Sequence, residues 1–134
     1  MANATHALTI SNMKTILLIE DEAALQKTMG DILGAAGYKV LQALDGEAGL
    51  RLALSEKPDL ILLDLIMPRK TGFDVLTELK QNLATKNLPV IVLTNLETVD
   101  SVEKALAAGA VTYLVKANYS LQDILDKIEQ TLKL

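Results

Sequence analysis

The sequence predicts a doubly wound α/β domain: a five-stranded parallel sheet with helices on both faces. Two observations carry this. Strand-length apolar runs and helical apolar patterns alternate five times along the 134 residues. The runs also lack polar alternation, which marks strands buried on both faces, as in parallel sheets. Alternation of this kind builds right-handed crossovers onto one sheet.

Taken in order, residues 14–19 (KTILLI) form the first strand run and end in three acids, Glu20, Asp21 and Glu22. The helix that follows carries Leu25, Met29, Ile32, Leu33 and Ala36 on one face. Asp21 is placed to cap it, Glu22 suits its positive end, and Gly37 stops it. A short strand at 38–41 (YKVL) leads to Asp45 and Gly46, which open a second helix through about Ser55, with Ala48 and Leu52 inward. Lys57, Pro58 and Asp59 break the chain before the central run, 60–68 (LILLDLIMP). That run delivers one carboxylate, Asp64, and stops at Pro68. Beyond a polar turn of Arg69, Lys70, Thr71 and Gly72, a third helix carries Phe73, Leu76, Leu79 and Leu83. Residues 88–93 (LPVIVL) form the fourth strand, ending at Thr94. A fourth helix runs from about Thr98 to Ala108, with Val99, Val102 and Leu106 inward, and stops at Gly109. Residues 111–115 (VTYLV) form the fifth strand, ending at Lys116. The last helix runs from Ser120 to about Lys133, opened by a capping box of Ser120 and Asp123. Its buried stripe is Leu121, Ile124, Leu125, Ile128 and Leu132.

Bulk composition narrows the function. The length suits one domain, assigned to residues 13–134, with residues 1–12 as a flexible tail. No apolar run approaches the roughly 18 residues of a membrane span, and the tail has no signal-peptide core. Without cysteine, disulfide and thiolate chemistry are excluded, and a cytoplasmic location is expected. A net charge of -4, one Phe and no Trp argue against direct nucleic-acid binding. The single histidine, His6, lies in the tail, which argues against histidine catalysis or a histidine metal site in the core.

Four of the five strands end in polar residues suited to phosphate or metal chemistry: Asp21, Asp64, Thr94 and Lys116. One of the two common doubly wound orders, 2-1-3-4-5, would set these strands side by side, about 4.8 Å apart. The four side chains would then meet at the carboxyl edge, where ligands bind in such sheets. Glu20, Asp21 and Asp64 would crowd three carboxylates, which raise one another's pKa unless a cation intervenes. Lys116 supplies too little charge, and oxygen ligands of this kind suit Mg2+.

These residues resemble the receiver domain of bacterial two-component response regulators, of the chemotaxis-receiver kind with a flavodoxin-like fold. The resemblance spans residues 13–134. It rests on Glu20-Asp21-Glu22, on Asp64 with Met67, Pro68 and Gly72, on Thr94, and on Tyr113 with Lys116. It implies that Asp64 accepts a phosphoryl group from a histidine kinase or phosphotransfer protein. It implies Mg2+ on Asp21, Asp64 and the Ile66 backbone carbonyl, with Glu20 reaching it directly or through water. Lys116 would pair with phosphoryl oxygens, Thr94 would hydrogen-bond the group, and Tyr113 would turn inward as Thr94 moves. The protein would be a signalling phosphoacceptor rather than an enzyme, read by a downstream protein through the face of helix four, strand five and helix five. It would be a monomer or a phosphorylation-dependent dimer, standing alone or cut from a longer chain.

Three positions depart from the family pattern. Glu20 stands where Asp is commoner, and Asn95 where a small residue is usual. Ala117 replaces a proline that usually follows the lysine in a cis peptide; without it a cis bond costs about 2.5–4 kcal/mol, so a trans bond is expected. Ile66 and Leu96 are apolar, which predicts poor positioning of water and a long-lived aspartyl phosphate. Rival readings fit less well. A phosphatase of the haloacid-dehalogenase type needs an acid at the position of Ile66. A flavin or nucleotide binder needs a Gly- or Ser-rich loop where the acids stand. A degenerate receiver would not keep Asp21, Asp64, Thr94 and Lys116 together.

Overall fold

A computed structural model describes residues 13–133 of the chain. Residues 1–12, with the expected tail and His6, lie outside the described residues. Five parallel strands form one sheet: β1 (Thr15–Ile19), β2 (Lys39–Ala43), β3 (Leu60–Leu63), β4 (Val90–Thr94) and β5 (Thr112–Val115). Their order is β2-β1-β3-β4-β5, as the flavodoxin-like reading expects. The connecting helices are α1 (Ala23–Ala35), α2 (Gly46–Glu56), α3 (Gly72–Gln81), α4 (Val99–Ala107) and α5 (Leu121–Lys133).

The sheet explains why the strand runs are apolar throughout. Successive side chains point to opposite faces, and both faces are covered. Leu17, Ile19, Ile61, Leu63, Val90 and Val92 pack on one side with Ala53, Val75, Leu76, Leu79 and Ala105 of α2, α3 and α4. Ile16, Leu18, Leu60, Leu62, Ile91, Leu93 and Leu114 pack on the other with Met29 and Leu33 of α1 and Ile124 and Ile128 of α5.

Local chemistry sets most helix ends. Asp45 caps α2 by accepting from the Ala48 N–H at 2.8 Å. Thr71 and Asp74 form a reciprocal capping box at α3, and Ser120 and Asp123 do the same at α5. Gly37 and Gly109 follow α1 and α4 with φ of 100° and 113°, a left-handed turn that glycine accepts without penalty.

Some expectations fail for identifiable reasons. The N-cap residue of α1 is Glu22, not Asp21, and its side chain makes no cap bond. Leu83 is not on α3. That helix stops at Gln81, where the Asn82 side chain accepts from the Ala84 N–H and Thr85 donates its hydroxyl to the Leu79 carbonyl. Leu83 is left 82% exposed. In α4 the inward positions are Ser101 and Ala105, while Val99 and Leu106 face outward. The residues that α4 buries are small, and its larger apolar side chains Val99 and Leu106 are not among them. Ala36 and Leu121 are likewise exposed, whereas Ile124 and Ile128 are buried as expected.

Candidate functional site

The strand register delivers the acids. β1 and β3 pair Ile19 with Leu63, so the next residues, Glu20 and Asp64, leave the sheet side by side. β4 and β5 pair Thr94 with Val115, which puts Lys116 one residue past Thr94 at the same edge. The result is a shallow cleft of about 430 Å³, lined by Glu20, Asp21, Glu22, Asp64, Ile66, Asn95 and Lys116. Carboxylate oxygens of Glu20, Asp21 and Asp64 all lie within 4.8 Å of one another.

Burial and charge in the cleft are uneven. Glu20 and Asp64 are buried, at 2% and 6% exposure, while Asp21 faces solvent. Lys116 donates to Glu20 Oε1 at 2.5 Å and to Asp64 Oδ2 at 3.4 Å. Asp64 Oδ1 accepts from the Ile66 N–H at 3.2 Å, and Glu20 Oε2 from the Glu22 N–H at 3.0 Å. Burial pushes the Glu20 carboxyl up from its usual range; the Lys116 and Glu22 hydrogen bonds oppose this, and the Asp64 charge adds to it. For Lys116, burial works to lower the pKa, but the Glu20 hydrogen bond and the Asp64 and Glu20 charges outweigh it, and the net shift is upward.

The remaining predicted residues sit just behind the cleft. Thr94 is fully buried, and its hydroxyl accepts from the Leu96 N–H at 3.4 Å. Tyr113 donates its hydroxyl to the Leu96 carbonyl at 2.5 Å, and burial, with the Asp64 charge, raises its pKa. The loop after β4 is thus tied to both residues. Lys116 opens a short 3-10 turn, Lys116–Asn118, and no peptide bond among the described residues is cis, Lys116–Ala117 included. Of the two water-path positions, Ile66 lines the cleft at 55% exposure, whereas Leu96 packs against the core.

Gly72 closes the site from below. Its N–H donates to the Leu65 carbonyl at 3.0 Å, and a Cβ there would run into the Asp64 carbonyl and the Leu65 Cα. The start of α3 therefore rests on the backbone that carries Asp64. Sequence reasoning missed two residues near the site. Glu22, read as a helix-end acid, lines the cleft. Gln26 is buried at 4% exposure, and its signal was helical spacing, because residues 26, 29 and 33 share the inner face of α1.

The acids and Lys116 together match the donor set of a hard divalent cation with a phosphate ligand: clustered carboxylate oxygens with one ammonium beside them. This sheet, with that cluster at its carboxyl edge, defines a class, and comparison with known proteins gives it a family. The model of the response regulator receiver domain matches residues 16–129. The chain belongs to the response regulator receiver domain family.

Among curated relatives, the transcriptional regulatory protein PdtaR of Mycobacterium tuberculosis is 38% identical over 118 residues, 87% of this chain and 55% of PdtaR. The phosphate regulon transcriptional regulatory protein PhoB of Pseudomonas aeruginosa is 32% identical over 120 residues, 90% of this chain and 52% of PhoB. The chain spans about half the length of these relatives. Among solved structures, the chemotaxis protein CheY4 of Vibrio cholerae superposes with a TM-score of 0.82 at 27% identity, covering 88% of this chain and 98% of that one. The receiver domain of a sensor histidine kinase from Pseudomonas aeruginosa, which holds a magnesium ion in its active-site cleft, gives 0.83 at 26% identity, with 91% and 99% covered.

Proposed function

We propose that this chain, with residues 13–134 as its receiver domain, accepts a phosphoryl group on Asp64 from a histidine kinase or phosphotransfer protein in the cytoplasm. The observation that carries this is the setting of Asp64: a buried carboxylate at the carboxyl edge, beside two further carboxylates and one lysine. In the reaction, an Asp64 carboxylate oxygen bonds to phosphorus while the phosphorus–nitrogen bond of phosphohistidine breaks. The imidazole nitrogen keeps that electron pair. A carboxylate nucleophile needs no side-chain base.

Glu20, Asp21, Asp64 and the Ile66 carbonyl would hold Mg2+, which when bound offsets charge on the transferring group. Lys116 exchanges its carboxylate partners for phosphoryl oxygens. The Thr94 hydroxyl leaves the Leu96 N–H to bond the new group, and the loop that Tyr113 grips through the Leu96 carbonyl follows it. Up to about two negative charges at one spot thereby become a movement of the loop leading into α4. The face of α4, β5 and α5 is the surface read by a downstream protein. Val99, Leu106 and Val111 already present apolar side chains there, at 72%, 45% and 51% exposure. The chain acts as a switch and turns over no separate substrate. Incubation with acetyl phosphate and Mg2+ tests the assignment: one phosphoryl group should be added, and Asp64→Asn should abolish it. Undiminished labelling of the variant would overturn it.

A further inference from the structure

We propose that Gln26 is a positioning residue for the metal-binding acids; this rests on the reading that Glu20, Asp21 and Asp64 hold Mg2+. Gln26 lies in the second turn of α1 and is 4% exposed. Its Nε2 lies 3.0 Å from the Leu18 carbonyl, 3.1 Å from the Glu20 carbonyl and 2.7 Å from the Ala43 carbonyl. Two N–H hydrogens thus serve three acceptors, all at the carboxyl ends of β1 and β2. The acceptor that matters for the site is the Glu20 carbonyl, because it belongs to the peptide that joins Glu20 to Asp21. Asp21 faces solvent, and its side chain makes no hydrogen bond among the described residues. The peptide that carries it is held from below by Gln26.

Space-filling alone does not explain this residue. Its Oε1 is buried and has no hydrogen-bond partner. A methionine would remove that orphaned oxygen, but it would also take from the Glu20 carbonyl the donor that Gln26 supplies, and a buried polar group without a partner is destabilising. What the amide adds is a fixed fork of donors aimed at strand-end carbonyls. The helix end of the fork is braced as well: Gln42 Nε2 donates to the Gln26 backbone carbonyl at 3.0 Å. Residues that orient metal ligands from behind affect affinity strongly, typically by about 10–100-fold.

The test compares Gln26→Met, which keeps the side-chain length and removes the donors, with Leu33→Ala, a destabilising core change on the same helix. Mg2+ binding to the full chain is measured by titration calorimetry, with folding checked by circular dichroism. The expected result is Mg2+ binding about tenfold weaker in Gln26→Met and unchanged in Leu33→Ala. Wild-type affinity in Gln26→Met, or equal losses in both variants, would overturn the positioning role and leave the site reading standing. No Mg2+ binding by the wild-type chain would overturn both. If Gln26→Met does not fold, the wild-type chain decides: the Gln26 Nε2–H signals should shift along the Mg2+ saturation curve while those of Gln122 do not, and unmoved Gln26 signals would overturn the proposal.

Discussion

Replacing Lys116 by methionine should expose how the cleft tolerates its own charge. The substitution keeps the aliphatic stem and removes the only cation that lines the cleft among the described residues. Lys116 Nζ lies 2.5 Å from Glu20 and 3.4 Å from Asp64, and Glu20 is 2% exposed. Two unit charges 4 Å apart at an effective dielectric of about 20 interact by about 4 kcal/mol. Breaking a buried pair by removing one partner costs about 3–5 kcal/mol. The cleft is open on the Asp21 side, and relief of the lysine's own desolvation offsets part of the loss. The expected destabilisation in EDTA at neutral pH is therefore about 2–3 kcal/mol. Urea unfolding followed by far-ultraviolet circular dichroism measures it, which suits a chain without tryptophan. The pH dependence has a definite sign. The Glu20 pKa is raised by burial in the folded state, and loss of Lys116 raises it further. A carboxyl raised on folding contributes stability below its unfolded pKa and loses it as pH rises through the folded pKa. The gap between variant and wild type should thus widen from pH 5 to pH 8. Mg2+ at about 100 times its Kd adds about 2.7 kcal/mol to either protein, and the more negative cleft of the variant should bind it more tightly. Equal urea midpoints in EDTA, or a gap that does not shrink at pH 5, would refute the reasoning.

Gly72→Ala should destabilise the fold by about 1–3 kcal/mol and slow acetyl-phosphate labelling, because the new Cβ meets backbone rather than yielding side chains. Urea midpoint and labelling rate check both. Arg69→Gly should stabilise by about 0.5–1 kcal/mol, because Arg69 holds φ at 64° in the turn after Pro68; thermal unfolding measures the gain. Ile66→Asn should shorten the lifetime of phosphorylated protein several-fold by giving attacking water a hydrogen-bond partner at the cleft rim, read as the decay of phosphoprotein in Mg2+ buffer. Leu96→Glu should instead lower stability, because Leu96 packs against the core.

The strands and the acids at their ends were legible for one physical reason. A parallel sheet covered on both sides demands unbroken apolar runs, and such runs are visible without any partner. Leu62 shows this: nothing in its neighbours says which helix covers it, yet its burial follows from the run alone. The placement of Asp64 beside Glu20 needed one more step, the strand order, which no residue encodes locally. Only the full set of strand-end residues pointed to it.

Helix faces were read less well, because an apolar stripe shows which side of a helix avoids water only if that helix buries its large residues. In α4 this premise fails. Ser101 and Ala105 face the sheet, and Val99 and Leu106 face out. The misreading is informative in itself. Large apolar side chains left exposed on the helix that follows the Thr94 loop are what a switch needs if its output is a change in protein contacts. Single exposed apolar residues are ordinary on protein surfaces, so Val99 alone decides nothing. Its argument comes from position: the loop that leads into α4 is held at one end by Thr94 and at its middle by Tyr113. Any movement of Thr94 toward a charge on Asp64 must pull on the backbone that presents Val99. The same logic explains why Gln26 escaped notice. A glutamine among apolar neighbours reads as a lapse in the stripe, and only the three carbonyls around its Nε2 reveal it as part of the support for the acids.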